Sequence, residues 1–361
     1  MIKHAAALLC ILLMASTSCG ARNSSDVKDD SGLASKLTLV SSNGGQTMPN
    51  STVKIDKVKY PNFGECYKLS NGTVDVLITL DLGPRVIFYG FTGGENALAE
   101  LGPDLKVPTP YGDWKPWGGH RLWHAPEVLP RSYVPDNGPV DSEIIGKSTV
   151  RVAPPFEEAT GIQKQIHVSV DHEGTGVTLT HILTNKGIWP VELAPWALTI
   201  MKGGGTTIIP QEPFVSHDDK VLPARSMTLW GFTDMSDPRW TFGKRYICLK
   251  TDTKLSDPQK IGVADKLGWA GYLRDKTLFI KRFHYIEGTN YPDAGCNFET
   301  YTAGDFMEVE SLGPLTKLEP GESATHVEHW FLFKDVNPGA TEDSLHNAIT
   351  PLVAKTGVTG R

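Results

Sequence analysis

The chain has no block of basic residues and no excess of positive charge. Its 361 residues include 35 Lys and Arg against 41 Asp and Glu, which gives a formal net charge of -6. Proteins that bind nucleic acid need a basic patch, and so do proteins that adhere to anionic membranes by charge. We therefore expect no nucleic-acid partner and no charge-driven contact with a membrane surface.

The sequence also lacks the short motifs of several enzyme classes. It contains no Gly-x-Ser-x-Gly elbow, no Walker loop, no dinucleotide fingerprint after a strand and no His-Glu-x-x-His. These motifs hold nucleophiles, phosphates or zinc in fixed geometries, so their absence argues against the usual serine hydrolases, nucleotide-binding enzymes and zinc proteases. We predict no cofactor and no metal.

Cysteine is scarce, and its spacing does not indicate a disulfide framework. Of five cysteines, Cys10 and Cys19 lie near the N-terminus, which leaves Cys66, Cys248 and Cys296. Three cysteines without metal-type spacing allow one disulfide in an oxidising compartment at most.

The N-terminus reads as a targeting segment rather than part of a fold. The apolar run over residues 5–15 is too short to span a bilayer permanently, so residues 1–18 are predicted to be a signal peptide. Small residues before Cys19 resemble a bacterial lipobox, in which the cysteine is lipidated. Ser16 departs from that pattern, and plain cleavage nearby is the alternative. Residues 19–36 are polar and acidic, as in a flexible tether, so we expect a cell-envelope lipoprotein that contacts the membrane only through its anchor.

Apolar residues alternate with polar ones along most of the remaining chain. Runs such as KQIHVSVDHEGTGVTLTHILTN and HVEHWFLF are rich in Val, Ile, Thr and Phe at period two, which predicts strands. No apolar repeat at helical spacing extends over twelve residues. We predict one all-β domain of paired sheets over residues 37–336, and a C-terminal tail over 337–361 with a short helix that Pro351 interrupts.

Four segments resemble successive parts of galactose-mutarotase-like proteins: DLGPRVIFYGFTGGENALAE, WGGHRLWHAP, LTNKGIWPVELAPW and AGCNFETYT. Residues 65–335 are also similar to a bacterial secreted family classed only as a domain of unknown function, through GGHRLW, RSMTLWGFTDMSDPRW and DFMEVESLGPL. The resemblance implies a β-supersandwich with a carbohydrate-sized cleft on one concave sheet.

The mutarotase reaction needs a base for the anomeric hydroxyl and an acid for the ring oxygen, and a carboxylate with an imidazole suits this. The resemblance implies Glu299 as the base, with His120 or His124 as acid or substrate anchor. The family's usual central-strand histidine is absent, because that segment reads ELAPWALTIM with Trp196 and Ala197. Sugar binding survives this loss, since an indole stacks on a pyranose face.

Further residues are expected to hold sugar hydroxyls or a ring face. Each has a structural alternative: an internal ion pair for the Gly-x-Arg arginine, the core for the tryptophans, and an exposed acidic sheet face for the carboxylates. The candidates are Arg85, Arg121, Trp123, Trp196, Glu212, Tyr301, Glu308 and Glu310.

Three functions are compatible with these observations. The first is a carbohydrate-binding cell-envelope lipoprotein with aldose 1-epimerase-like chemistry. The second is a non-catalytic glycan-binding or scaffold lipoprotein of a polysaccharide-utilisation system. The third is a polysaccharide lyase or hydrolase that uses paired carboxylates.

Overall fold

The computed structural model describes residues 52–357, which form 23 strands and one helix of more than one turn. The predicted signal peptide 1–18, the lipidation residue Cys19 and the tether 19–36 lie outside the described residues. The prediction of an all-β fold is confirmed.

The first sheet has eleven strands, all paired antiparallel, in the spatial order β1-β2-β3-β4-β7-β12-β21-β20-β17-β14, with β22 paired to one end of β12. Its strands are β1 Lys54–Tyr60, β2 Gly64–Ser70, β3 Val74–Thr79, β4 Val86–Phe91, β7 His120–Ala125, β12 Val191–Lys202, β14 Met227–Leu229, β17 Gln259–Val263, β20 Phe298–Thr302, β21 Phe306–Leu312 and β22 Thr316–Leu318.

The second sheet has ten strands in the order β15-β16-β13-β18-β19-β23-β11-β10-β9-β8. They are β8 Asp141–Ile145, β9 Thr149–Ala153, β10 Ile162–Val170, β11 Val177–Asn185, β13 Thr206–Pro210, β15 Trp240–Phe242, β16 Tyr246–Lys250, β18 Trp269–Arg274, β19 Thr277–Phe283 and β23 Ser323–Phe333. A separate two-stranded ribbon consists of β5 Val107–Thr109 and β6 Gly112–Trp114.

Strand alternation explains how the two sheets pack. Burial alternates at every residue of β10, and β11 pairs with it across a hairpin closed between Asp171 and Gly176. Inward Val, Ile and Leu side chains, such as Val168 and Leu179, pack in one core with Val309 and Phe298 of the first sheet. The second sheet therefore buries one face of the first sheet, and the opposite face is left for other contacts.

The C-terminal helix, α1 (Glu342–Ala354), begins with a capping box formed by Thr341 and Ser344. Ile349 is fully buried against the outer face of the second sheet. The expectation that Pro351 interrupts this helix is wrong, since the helix continues to Ala354. Proline removes only one backbone hydrogen bond near the end of a helix, and the packed apolar face holds the last turn in place.

Two further segments are short. Arg131–Tyr133 forms a 3-10 turn, and Pro292–Gly295 is a four-residue turn in which Asp293 and Ala294 have left-handed backbone angles. Among residues 52–357, no helix combines the length and the apolar character needed to cross a membrane.

Candidate functional site

A pocket lies on the outer face of the first sheet, at its centre. The strands β7, β12, β21, β20 and β17 lie side by side there, and the register places Trp123 beside Trp196 and Glu308 beside Tyr301. Three segments outside these strands, residues 101–116, 127–133 and 230–232, contribute the other lining residues. The empty space, including the mouth, is about 620 Å³, and it is lined by Leu101, Trp114, Pro116, Arg121, Trp123, Glu127, Tyr133, Trp196, Leu198, Ile200, Trp230, Phe232, Lys260, Tyr301, Phe306 and Glu308.

Aromatic rings form one wall of this pocket. Trp123 lies at the centre of the group, with ring centroids 5.3 Å from Trp114, 4.8 Å from Tyr133 and 5.4 Å from Trp196. These residues form a second apolar cluster, separate from the core between the sheets. Trp123 is therefore a buried residue of an apolar cluster that also lines the pocket, and its role as a sugar platform stays a prediction. Such a rigid apolar wall suits contact with the face of a sugar ring.

A buried lysine joins two of the predicted glutamates. The Nζ atom of Lys260 lies 2.7 Å from Oε2 of Glu299 and 3.4 Å from Oε2 of Glu310. Trp196 donates its indole N–H to Glu310 at 2.8 Å, and Lys260 lies over the rings of Trp196 and Trp230. The aromatic rings and the carboxylates thus hold the ammonium group from several sides.

This arrangement sets the protonation of the cluster. Burial opposes the charge on Lys260, but Glu299 and Glu310 outweigh it and hold the pKa of the lysine well above its usual value. Burial, and secondarily the charge of Glu310, raises the pKa of Glu299 well above its usual value even though Lys260 opposes the shift. Two carboxyl groups share one ammonium group, so Glu299, whose pKa is raised, favours its protonated form.

The burial of Glu299 behind Lys260 bears on its predicted role as the catalytic base. Glu299 is fully buried and does not line the pocket, because Lys260 lies against its carboxyl group. A general base needs an ionised carboxylate within reach of the substrate. The catalytic role of Glu299 therefore stays a prediction that this arrangement does not favour.

Arg121 and Glu308 lie together in the pocket wall. Arg121 Nη2 is 3.4 Å from Glu308 Oε1, and the guanidinium group lies over the rings of Trp114 and Trp123. Arg121 is 3% exposed, and its Nε and Nη1 atoms have no hydrogen-bond partner among residues 52–357. Burial and the nearby Glu310 raise the pKa of Glu308 to about 7. The Glu308 carboxyl in the pocket is thus partly protonated near neutral pH.

The structure contradicts the placement of His120 and His124 in the site. Both lie in β7 on the face opposite Arg121 and Trp123, because successive side chains of a strand point to opposite faces. His124 lies near Glu157, with Nε2 3.9 Å from Oε2 of the carboxylate. Burial holds the pKa of both histidines well below the usual value. Neither reaches a ligand in the pocket.

His120 belongs instead to a hydrogen-bond chain between the two sheets. Its Nδ1 is 2.8 Å from Thr199 Oγ1, and its Nε2 is 2.7 Å from Nε2 of His181. His181 Nδ1 donates to the carbonyl oxygen of His326 at 3.0 Å, which leaves its Nε2 as the acceptor. Thr199 therefore donates to His120, His120 donates to His181, and His181 donates to the carbonyl oxygen of His326.

The same interior contains a buried ion pair. Lys281 Nζ lies 2.7 Å from Glu328 Oε1 and donates to the carbonyl oxygen of Val309 at 2.8 Å. Ser311 and Trp330 also donate to the Glu328 carboxylate, at 2.6 and 2.8 Å. Lys281 and Glu328 are both completely buried. We call these residues, together with the chain through His120, the interior polar layer.

Part of the interior polar layer has the donor types of a metal site. His120, His181 and Glu328 present atoms within 4.8 Å of one another. The hydrogen bonds described above already use the Nε2 lone pair of His181 and both oxygens of Glu328, and Lys281 supplies the compensating cation. The donor set does not fit a resident metal, and we assign none.

Two other predicted residues lie outside the pocket. Arg85 is fully buried and donates from Nη2 to both carboxylate oxygens of Asp136, at 2.9 and 2.8 Å, so the alternative of an internal ion pair describes it. Glu212 forms ion pairs with Arg225 at 3.8 Å and Lys266 at 3.7 Å. These residues correct the prediction, because the fold directs them away from the central strands. The pocket collects Arg121, Trp123, Trp196, Tyr301 and Glu308, with Glu299 and Glu310 behind Lys260.

Several pocket residues were not among the candidates. Lys260 had a signal, since a lysine in the otherwise apolar run QKIGV is unusual for a strand buried throughout. Trp230 lies in the stretch RSMTLWGFTDMSDPRW, which the family resemblance had already singled out. Glu127 and Tyr133 share a hydrogen bond in the segment after β7, but nothing in their spacing indicates that they line the same pocket.

Solved structures share this architecture. A galactose mutarotase-like protein from Lactobacillus casei superposes over 74% of this chain and 100% of its own, with a TM-score of 0.51 and 11% identity. The candidate mutarotase YeaD from Salmonella typhimurium covers 80% of this chain and 95% of its own, with a TM-score of 0.50 and 11% identity. The chain therefore has the galactose-mutarotase-like β-sandwich fold.

A TPR-domain-containing protein from Parabacteroides distasonis is similar over 77% of this chain, with a TM-score of 0.50 and 15% identity. The chain spans about half of that protein, 49% of its length. No protein-family model matches the sequence, and no curated protein matches it either.

Proposed function

We propose that this protein is a carbohydrate-binding protein that uses the pocket on the outer face of the first sheet. The observation that supports this most is the composition of the pocket, in which a wall of tryptophan rings faces Glu308 and Arg121. Sugars are bound by stacking on apolar ring faces and by hydrogen bonds from hydroxyls to charged or amide groups. The galactose-mutarotase-like fold is consistent with such a ligand.

The proposal includes a place in the cell. The N-terminal sequence supports export, cleavage after residue 18 and lipidation of Cys19, with residues 19–36 as a tether. The protein would then bind its carbohydrate at the bacterial cell envelope. Labelling with a radioactive or alkyne fatty acid tests this, and Cys19→Ala is expected to abolish the label.

Binding is tested by titrating the purified protein with a panel of mono- and polysaccharides in a calorimeter. We expect at least one sugar to bind, and Glu308→Gln to weaken the binding of a neutral sugar at least tenfold through the loss of one of the two acceptor oxygens. Glu212→Gln, outside the pocket, is the matched control and is expected to bind as the wild type does. Absence of binding across the panel would contradict the proposal.

A second candidate is an aldose epimerase, and one observation favours it: the Glu308 carboxyl in the pocket has its pKa raised to about 7 by burial and by Glu310. Such a group can both donate and accept a proton at neutral pH. Exchange between anomers, followed by NMR, distinguishes the two functions. Exchange above the spontaneous rate that Glu308→Gln abolishes supports an epimerase, whereas binding without exchange supports the binding protein.

A further inference from the structure

Arg121 lies in the pocket wall with much of its hydrogen-bonding capacity unused. Its side chain is 3% exposed, its contact with Glu308 is long at 3.4 Å, and Nε and Nη1 have no hydrogen-bond partner within residues 52–357. A buried N–H without an acceptor destabilises the folded state, and the cost is larger when the group is charged. An acceptor on a ligand would recover this cost.

The charges around the pocket point to the sign of that ligand. Lys260 Nζ contacts two carboxyl groups, Glu299 at 2.7 Å and Glu310 at 3.4 Å. Arg121 has Glu308 alone, and the pKa of that carboxyl is raised to about 7 by burial and by Glu310, so near neutral pH a substantial fraction of Glu308 is uncharged. Of the two cations among the described pocket residues, Arg121 has the fewer carboxyl contacts and keeps N–H donors without an acceptor. A ligand group with acceptor oxygens and a single negative charge fits these donors.

The chemistry of guanidinium selects among singly and doubly charged groups. Arginine presents its N–H groups in a fixed plane that matches the two oxygens of a carboxylate. A phosphate group brings about -1.5 to -2 charges at neutral pH, and among the described residues of this largely apolar pocket the other cation, Lys260, already contacts two carboxyl groups. A carboxylate therefore suits Arg121 better than a phosphate.

We infer that the ligand is a uronic acid, free or as a unit of an acidic glycan, and that Arg121 binds its carboxylate. The inference rests on the proposed function and names the class of sugar. Glu308 accepts hydrogen bonds from the hydroxyl groups of this sugar, and the rings of Trp123 and Trp196 contact its apolar edge. The carboxylate accepts from the guanidinium group of Arg121, which lacks acceptors among the described residues.

The experiment compares related ligands that differ in the charge of the group at carbon 6. Full-length protein is titrated by calorimetry at pH 7 with glucuronate and galacturonate, with their neutral methyl esters, with glucose and galactose, and with glucose 6-phosphate. The proteins are the wild type, Arg121→Gln, Arg121→Lys and the control Glu212→Gln. Circular dichroism and thermal unfolding of each variant establish that it is folded.

We expect the wild type and Glu212→Gln to bind at least one uronate tenfold or more tighter than its methyl ester. Arg121→Gln is expected to lose this preference, and Arg121→Lys to retain part of it because the positive charge remains. If Arg121→Gln does not fold, the comparison of uronate with ester on the wild type and Arg121→Lys decides.

Three results would overturn the inference: equal binding of uronate and ester, an acid preference that survives in Arg121→Gln, or tighter binding of glucose 6-phosphate than of either uronate. Binding of neutral sugars without any acid preference would refute the uronate alone and leave the proposed function standing. Failure of every compound here and of every polysaccharide in the wider panel, acidic glycans included, would refute both.

Discussion

Both faces of the central strands carry charged side chains, but those of the interior polar layer and those beside the pocket differ in how many hydrogen-bond partners they have. On the inner face, the interior polar layer pairs Lys281 with Glu328 and joins three histidines, and each of these groups has its hydrogen bonds within the protein. On the outer face, Arg121 keeps two nitrogen atoms, Nε and Nη1, without an acceptor and Glu310 keeps one oxygen without a donor among the described residues. The interior polar layer thus stabilises the fold through its own hydrogen bonds, whereas Arg121 keeps donors that a ligand in the pocket could use. Unpartnered nitrogens also occur away from the pocket, in His124 and Arg85, so their position beside a cavity is what distinguishes those of Arg121.

The largest expected effect concerns the ion pair of the inner face. Glu328→Gln leaves Lys281 buried without a counter-charge, and we expect it to lower the free energy of unfolding by about 3–5 kcal/mol. Urea unfolding measures this. The double variant Glu328→Gln/Lys281→Met removes both charges and is expected to cost less than the single one. If Glu328→Gln were as stable as the wild type, the ion pair of Lys281 with Glu328 would not stabilise the fold.

The second effect is a loss of stability in acid. Burial, followed by the charge of His181, lowers the pKa of His326 to about 3, whereas an unfolded chain binds that proton near pH 6.5. Protons therefore favour the unfolded state as the pH falls from 6.5 towards 3. His326→Gln is expected to remove about 3 kcal/mol of the stability difference between pH 7 and pH 4. The slope of unfolding free energy against pH, rather than its value at pH 7, is the quantity to compare.

The third effect has the opposite sign and comes from the outer face. The pKa of Glu308, raised to about 7 by burial and by Glu310, means that the folded state holds a proton which the unfolded chain releases near its ordinary value of 4.5. This contribution to stability is present below pH 4.5 and is lost as the pH rises through 7. Arg121, Lys260 and Glu127 also face this carboxyl.

Glu308→Gln is neutral at every pH and should lack that loss. We expect the variant to be more stable than the wild type at pH 8 by about 1–3 kcal/mol, with the difference shrinking at pH 5. Melting temperatures at the two pH values, in a single buffer series, measure it. A variant that is less stable than the wild type at pH 8 would show that Glu308 acts as a structural ion-pair partner of Arg121.

The smallest effect separates the pocket from the rest of the surface. Glu212 is half-buried and its ion pairs are long, so Glu212→Gln should change the free energy of unfolding by no more than about 0.5 kcal/mol. The same variant should bind sugar like the wild type. A larger change in stability or binding would extend the functional region beyond the pocket.

The sequence predicted the architecture because alternation is a local property. The apolar period of β10 and β11 is visible in the printed residues, and it marks paired strands without knowledge of their partners. Alternation in β7 also predicts which of its side chains share one face of the sheet. His120 and Arg121 are neighbours in one strand, so only one of them can face a ligand.

Other parts of the site depend on contacts between distant segments. The ion pair of Lys260 with Glu299 requires that β17 lie beside β20, 39 residues along the chain, and that Glu310 lie opposite in β21. Similarly, Glu212 and Arg85 have the right chemistry but lie off the central strands. The order of strands in the sheet decides these cases, and residue type alone does not contain it.

The alternation of β7 has a consequence for how such a protein can diversify. Each pocket residue in this strand is bonded directly to a residue of the opposite face, as Arg121 is to His120 and Leu122. Insertion or deletion of one residue would exchange the two sets, moving imidazoles into the pocket and a guanidinium into the core. Descendants of this chain can therefore change ligand by substitution in the strands, whereas changes of length are confined to the connecting segments that carry Trp114, Tyr133 and Trp230.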